Sequence, residues 1–169
     1  DPIDVLLERE AYRIRQMRDT LRLRGDGFDR LYMPVLRKFA AYAHLLPASE
    51  KHHHDGQGGL LSHSLEVSVG ATRASSAFLY GHRVSPKYQD HVESQWRLAI
   101  AFSGLLHDCG KLFTGMKVTD ASGMKKWNPY RLSLMDWLEI EKVDRYRILW
   151  EKSRFGNHEM LGAGLWHFF

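Results

Sequence analysis

Apolar residues recur at helical spacing through most of this chain. Over residues 3 to about 23, Ile3, Leu6, Leu7, Ile14, Met17 and Leu21 repeat with charges between them, which predicts an amphipathic helix. Gly25-Asp26-Gly27 breaks it. A second helix is predicted over about 28–46, tolerating Pro34 near its first turn and turning Leu31, Val35, Leu36, Phe39 and Tyr42 inward. Pro47-Ala48-Ser49 ends it, and three glycines in the nine residues KHHHDGQGG make 51–59 a loop. A third helix, about 60–81, buries Leu61, Leu65, Val69 and Phe78, while Gly70, Ala71, Ala74 and Ala77 let another helix approach.

Pro86 opens the next segment, and about 89–109 reads as the central helix. Ala99, Ile100, Ala101, Phe102, Leu105 and Leu106 fall on nearly every face, as expected of a helix surrounded by protein. Past it the pattern changes. Two short runs flanking Ala-Ser-Gly in 116–127 predict a small β-hairpin laid over the end of that helix. Pro129 closes it, 132–143 and 146–152 resume helical spacing, and Asn157-His158-Glu159 starts a last helix. The expected fold is all-α with a minor hairpin, as one domain spanning 1–169, with no internal repeat or linker.

Length and composition fit that picture: 169 residues can bury a real core, and 44% apolar content is ordinary for a globular chain. The net charge is +4 and the pI about 9.2. The basic residues are unevenly placed, with Arg9, Arg13, Arg15, Arg18, Arg22 and Arg24 crowding the first 24 positions. Such a face is most often simply solvated; nucleic-acid contact is the functional alternative. The single cysteine, Cys109, excludes an internal disulfide and fits a reducing cytoplasm, where it reads as a small buried filler. No apolar run is long enough to span a membrane, and no signal-peptide pattern is present. The chain opens on Asp1-Pro2 without a methionine and closes on Trp166-His167-Phe168-Phe169, as expected of a piece of a longer protein.

The chemistry concentrates where the central helix stops, in LLHDCGK. His107 and Asp108 at a helix end can converge on one object just beyond it, offering mixed nitrogen and oxygen ligands to a divalent metal. Gly110 suits the left-handed residue that closes a helix, and Lys111 adds a fixed positive charge where an anionic substrate would sit. The bland reading of the His-Asp pair is a helix cap, and of Lys111 a surface lysine.

Together with GGLLSHSLEV upstream, HDCGK resembles the motifs of the HD metal-dependent phosphohydrolase superfamily, which place one His on a helix, an HD pair some 30–60 positions later and a distant Asp. The resemblance implies an HD-type helical bundle in which His63, His107 and Asp108 bind metal. HHDGQGGLLSHSLEV is similar to a stretch of HD-domain 3′–5′ exoribonucleases, with His53 and His54 matching their paired histidines. The longer similarity, from about Leu46 through Trp127-Asn128-Pro129 to His158, is to the relaxase domain of MobH-type conjugative TraI proteins, sometimes labelled helicases. There a histidine cluster precedes the HD motif, as His52, His53 and His54 do here. The family's extra histidines make His158 a candidate second-metal ligand, and Lys111 a candidate for contacting the phosphate; His53 and His54 are candidates for contacting the phosphate or completing a second metal, the bland reading being a solvated histidine-rich loop. Two departures stand out. No C-terminal Asp is recognisable as the last ligand, Asp136 and Asp144 being the candidates after Asp120, and no tyrosine, Tyr130 and Tyr146 included, sits in a motif that marks a nucleophile.

Two imidazoles and a carboxylate support a divalent ion (Mn, Fe, Mg or Zn) that activates water and polarises a phosphoryl oxygen. The ligand set alone leaves hydrolysis and transesterification equally open. The expected function is metal-dependent DNA phosphodiester cleavage at a transfer origin, with DNA and the conjugation machinery as partners, in the cytoplasm and without membrane insertion. One alternative is an HD-type nucleotide or oligonucleotide phosphohydrolase; another is a catalytically silent HD scaffold that binds DNA or a protein. His44, His82, His91 and His167 read as structural or solvent-facing, His52 as exposed, and Trp96, Trp127, Trp137, Trp150 and Trp166 as core and interhelical seams.

Overall fold

The computed structural model describes residues 1–78, 85–151 and 168–169. Among them the regular structure is mostly helical: α1 (Ile3–Arg9), α2 (Ala11–Leu21), α3 (Met33–Ala43), α4 (Gly59–Ser75), α5 (Pro86–Leu106) and α6 (Leu134–Ile140), with strands β1 (Met116–Asp120) and β2 (Tyr146–Trp150). The helix expected at 157–169 lies outside the described residues but for its last two.

The first predicted helix is two. Glu10, at φ −95° and ψ 9°, interrupts it, and Arg22 in the left-handed region ends α2 before the glycines are reached. The sequence carries no large aliphatic residue between Leu7 and Ile14, and the bend turns inward the Glu10 side chain, paired with Arg13. The second helix begins as a π-turn, Phe28–Tyr32. Pro34 has no N–H to return to residue 30, and the Met33 N–H reaches back to the Phe28 carbonyl instead. α3 then buries Leu36, Phe39 and Tyr42, whereas Leu31 is exposed. Phe169 packs edge-on against Phe39 and Tyr42.

α4 and α5 pack backbone to backbone, and a missing side chain makes it possible. A Cβ on Gly104 would lie 2.6 Å from the Ser68 Cα. The Ser68 hydroxyl donates to the Ala101 carbonyl at 2.7 Å and lies 3.1 Å from the Tyr32 hydroxyl, so three segments share one buried polar chain. The end of α5 is not enclosed on every side as expected: Ala99 and Ser103, one turn apart, form an exposed strip, and Phe78 and Trp96 are exposed too.

The expected hairpin is built differently. The chain does turn back at Gly123, where Thr119 bridges Lys126 and the Trp127 N–H donates to the Val118 carbonyl. The partner strand of β1 is β2, antiparallel, with Met116 opposite Trp150 and Asp120 opposite Tyr146. Residues 146–150, expected to be helical, alternate instead: Tyr146, Ile148 and Trp150 are partly buried and Arg147 and Leu149 are exposed. The sheet's main-chain link to the chain after α5 runs through the Lys111–Gly115 turn, with the Glu151 N–H donating to the Gly115 carbonyl. α6 is capped by Ser133, whose hydroxyl accepts from the Asp136 N–H and donates to the Asp136 carboxylate. Trp127 and Trp137 are core, as expected. No helix among the described residues is long and apolar enough to cross a membrane.

Candidate metal centre

α4 places His63 in its second turn, and the chain leaving α5 places His107 and Asp108. Because Gly104 draws α4 and α5 together, the three side chains meet. One ligand atom from each lies within 4.8 Å of the others, and no other group of three His, Cys, Asp or Glu side chains among the described residues does so. His107 Nε2 is 3.2 Å and His63 Nε2 3.5 Å from the same oxygen, Asp108 Oδ2. The imidazoles are about 30% exposed, at 29% and 33%, and the carboxylate only 8%: a buried anion with a ring on either side that solvent can reach.

The donor set suits a divalent ion. His107 Nδ1 donates to the Gly104 carbonyl at 2.8 Å, which orients the ring and turns Nε2 toward Asp108. A tautomer fixed from behind in this way is what an imidazole ligand needs. Gly104 therefore acts twice, through the side chain it lacks and the carbonyl it offers.

Electrostatics concentrate on Asp108. Burial works against its charge, but hydrogen bonds and charges from His107 and Lys111 prevail and hold the carboxyl far below its ordinary range. His107 is the reverse: burial opposes protonation, and Asp108 with the Gly104 carbonyl outweighs it, moving the imidazole up. His63 moves down, through burial first and then the neighbouring His107. Cys109 is fully buried and its thiol is pushed up to about 11 by burial and by Asp108, which fits a filler and not a nucleophile.

The other expected residues divide. Lys111 is at the site, its Nζ 2.6 Å from Asp108 Oδ2 and 3.0 Å from the Ala48 carbonyl. His54 reaches the edge: its ring centroid is 5.2 Å from that of His63, and its Nε2 is 2.9 Å from Glu66. His53 is exposed and contributes a backbone carbonyl to the Ser49 hydroxyl; His52 is also exposed. His158 lies outside the described residues. Asp136 is spent on the α6 cap and Asp144 is exposed, and neither joins the group of three. The expected left-handed Gly110 is right-handed at φ −57°, because the Lys111 and Leu112 N–H groups satisfy the Asp108 and Cys109 carbonyls while the turn runs on.

Sequence reasoning missed two residues. Glu66 stands three positions after His63, a signal present in HSLE but indistinguishable from a surface acid. Gly59 reads as loop flexibility, yet its Cβ would fall 2.0 Å from the His54 carbonyl oxygen, so it locks the histidine loop onto α4. At the helix start the Gly58, Gly59 and Leu60 N–H groups bond to the Leu45, Gly56 and Leu46 carbonyls, so these three amides are already committed. A cavity of about 870 Å³ lies elsewhere, lined by His44, Leu138, Val143 and Tyr146 among others. It contains none of the three site residues, and His44 Nδ1 and the Tyr146 hydroxyl, 3.1 Å apart, bond each other.

The arginines of the first 24 residues are largely occupied. Arg9 pairs with Asp1, Arg13 with Glu10, Arg24 with Asp90, and Arg18 grips Asp29 with both nitrogens while lying 4.2 Å over the Phe28 ring. Arg15 and Arg22 are exposed.

No curated protein and no solved structure matches the chain. One family does match, TraI_2, whose description reads "Putative helicase", over residues 2–165. With nearly its whole length matched, and the His63, His107 and Asp108 cluster inside the matched span, the chain belongs to the TraI_2 family.

Proposed function

We propose that residues 1–169 form one HD-type, MobH-like relaxase domain, a metal-dependent phosphodiesterase that cleaves DNA in conjugative transfer. The observation that carries this is the convergence of two imidazole Nε2 atoms on one carboxylate oxygen, within a chain of a TraI-related family. His63, His107 and Asp108 would hold the ion, with His158 a further ligand. Two nitrogen ligands favour Mn²⁺, Fe²⁺ or Zn²⁺ over Mg²⁺, which prefers oxygen. When bound, such an ion supplies Lewis-acid activation of water and of a phosphoryl oxygen.

The chain's own residues do the rest. Gly104 holds the His107 ring, and Asp108 stays ionised through the neutral range. Lys111 and His54 stand beside the centre to offset charge on a phosphate, with His53 farther out on the same loop. Water is the nucleophile in this reading. The Tyr146 hydroxyl is pushed up to about 12 by burial and bonded to His44, and the Tyr130 ring packs against Phe113 and Phe168.

A second reading, an HD-type nucleotide or oligonucleotide phosphohydrolase, is favoured by the pairing of the arginines, which leaves less free charge for a long nucleic-acid track. One experiment separates them. Metal-reconstituted protein is given end-labelled single-stranded or hairpin DNA from a transfer origin, short oligonucleotides and mononucleotides. Metal-dependent cleavage of the origin DNA is expected, and Asp108→Asn should lower it by more than the ~100-fold that losing an outer partner of a metal ligand costs. Cleavage of the small substrates alone favours the second reading. Cleavage unaffected by chelation or by Asp108→Asn overturns both.

A further inference from the structure

The Asp108 oxygen that faces both imidazoles is already bonded. Lys111 Nζ donates to it at 2.6 Å, closer than either ring nitrogen. The contact is built in: the Lys111 N–H bonds the Asp108 carbonyl at 3.0 Å, and the π-turn Lys111–Gly115 begins at this residue. The ammonium and two imidazole nitrogens therefore converge on one carboxylate oxygen, and the ammonium is the one with a permanent charge.

A divalent ion on that oxygen and an ammonium bonded to it repel each other at short range, in a place too buried for water to screen them well. The lysine has somewhere to go. Its Nζ also bonds the Ala48 carbonyl at 3.0 Å, and its side chain is 22% exposed, so letting go of Asp108 need not strand a buried charge. Ala48 is in turn tied to the histidine loop, its N–H donating to the His54 carbonyl.

We propose that Lys111 is the resident counter-cation of Asp108 and competes with the divalent ion, so that ion entry detaches the ammonium from the carboxylate. This rests on the metal-site reading above and adds a coupling to it: loading the ion and freeing a positive group for an anionic substrate are one event. Until an ion binds, the ammonium neutralises the carboxylate, and the ion must displace it.

The test uses the whole chain stripped of metal by chelation and titrated with Co²⁺, whose absorption reports nitrogen and oxygen ligation. Lys111→Met and Lys111→Gln should bind Co²⁺ about tenfold or more tightly than the wild type, through removal of one adjacent positive charge. In the wild type, Co²⁺ should raise the reactivity of Lys111 toward an acylating reagent, read by mass spectrometry. Unchanged or weaker binding by the variants, with the wild type still binding, overturns the competition and leaves the metal site standing. No binding by wild type or variants overturns the metal-site reading and this proposal with it. If neither variant shows the wild-type helical signal, the acylation arm decides alone, and reactivity indifferent to Co²⁺ refutes the proposal.

Discussion

Two regions of this molecule are rich in ionisable side chains, and they use them in opposite ways. At the end of α5, His63, His107 and Lys111 all point at one oxygen of Asp108. Along α1, α2 and the turn that follows, four of the six arginines are dealt out singly, each of Arg9, Arg13, Arg18 and Arg24 to a carboxylate of its own. The first arrangement leaves ligand atoms looking for a shared cation, and the second cancels itself pair by pair. A count of basic residues thus says little about the field a partner meets, while the convergence of a few groups says a good deal.

The comparison breaks most severely if the first region is pried apart. Gly104→Ala puts a Cβ where the Ser68 Cα leaves only 2.6 Å, and backbone cannot step aside as a side chain tip can. Overpacking of this kind costs up to about 3 kcal/mol, and the gain of about 1 kcal/mol in helix propensity offsets only part. We expect a net loss of about 2 kcal/mol in urea unfolding, together with weaker metal uptake as the His107 anchor shifts. A variant as stable as wild type would mean that α4 and α5 do not depend on the contact.

A smaller effect separates the two loop histidines. His54→Ala removes the ring packed beside His63 together with its bond to Glu66, and should weaken metal binding by up to about tenfold. His53→Ala, at an exposed position, should change it by no more than about twofold. Calorimetric titration of the two variants with Mn²⁺ gives the ranking, and equal effects would return both histidines to the solvated loop.

The smallest effect is expected in the second region. Replacing Arg13, Arg15 and Arg18 together by Ala should alter the affinity for labelled DNA at low salt by less than about fivefold, because two of the three are already committed to carboxylates. A steep loss of binding, with a shallower salt dependence, would show that the ion pairs open to receive phosphate and that the regions differ less than they look.

The part of the site legible in the sequence is the part that is contiguous. His107, Asp108 and Lys111 lie within five residues, at the end of an apolar run, and need only a helix terminus to be brought together. His63 is legible through its motif. Glu66 and Gly59 are not, because a surface acid and a loop glycine look the same whether or not a histidine lies against them. The helices are legible through their period, but the Glu10 bend and the Pro34 π-turn show only as a gap in the apolar spacing and a tolerated proline. β2 escapes because five residues, Tyr146–Trp150, fit a helix as well as a strand until β1 is known to lie opposite. The arginine pairs escape for a similar reason: Asp29 and Asp90 are 11 and 66 positions from their partners.

The locked histidine loop has a consequence for anything that binds beside it. Its backbone is stitched to the segment before it, Ala48 to His54, Leu45 to Gly58 and Leu46 to Leu60, and Gly59 leaves no gap beneath the His54 carbonyl. Fixing a residue's backbone costs about 1–2 kcal/mol in conformational entropy. For these residues that cost falls on folding, before any ligand arrives. A glycine-rich loop of this composition ordinarily has to be ordered by the molecule it grips, at the expense of affinity. Here a ligand reaching His54 meets a ring already in position, and its contacts there count almost in full toward binding.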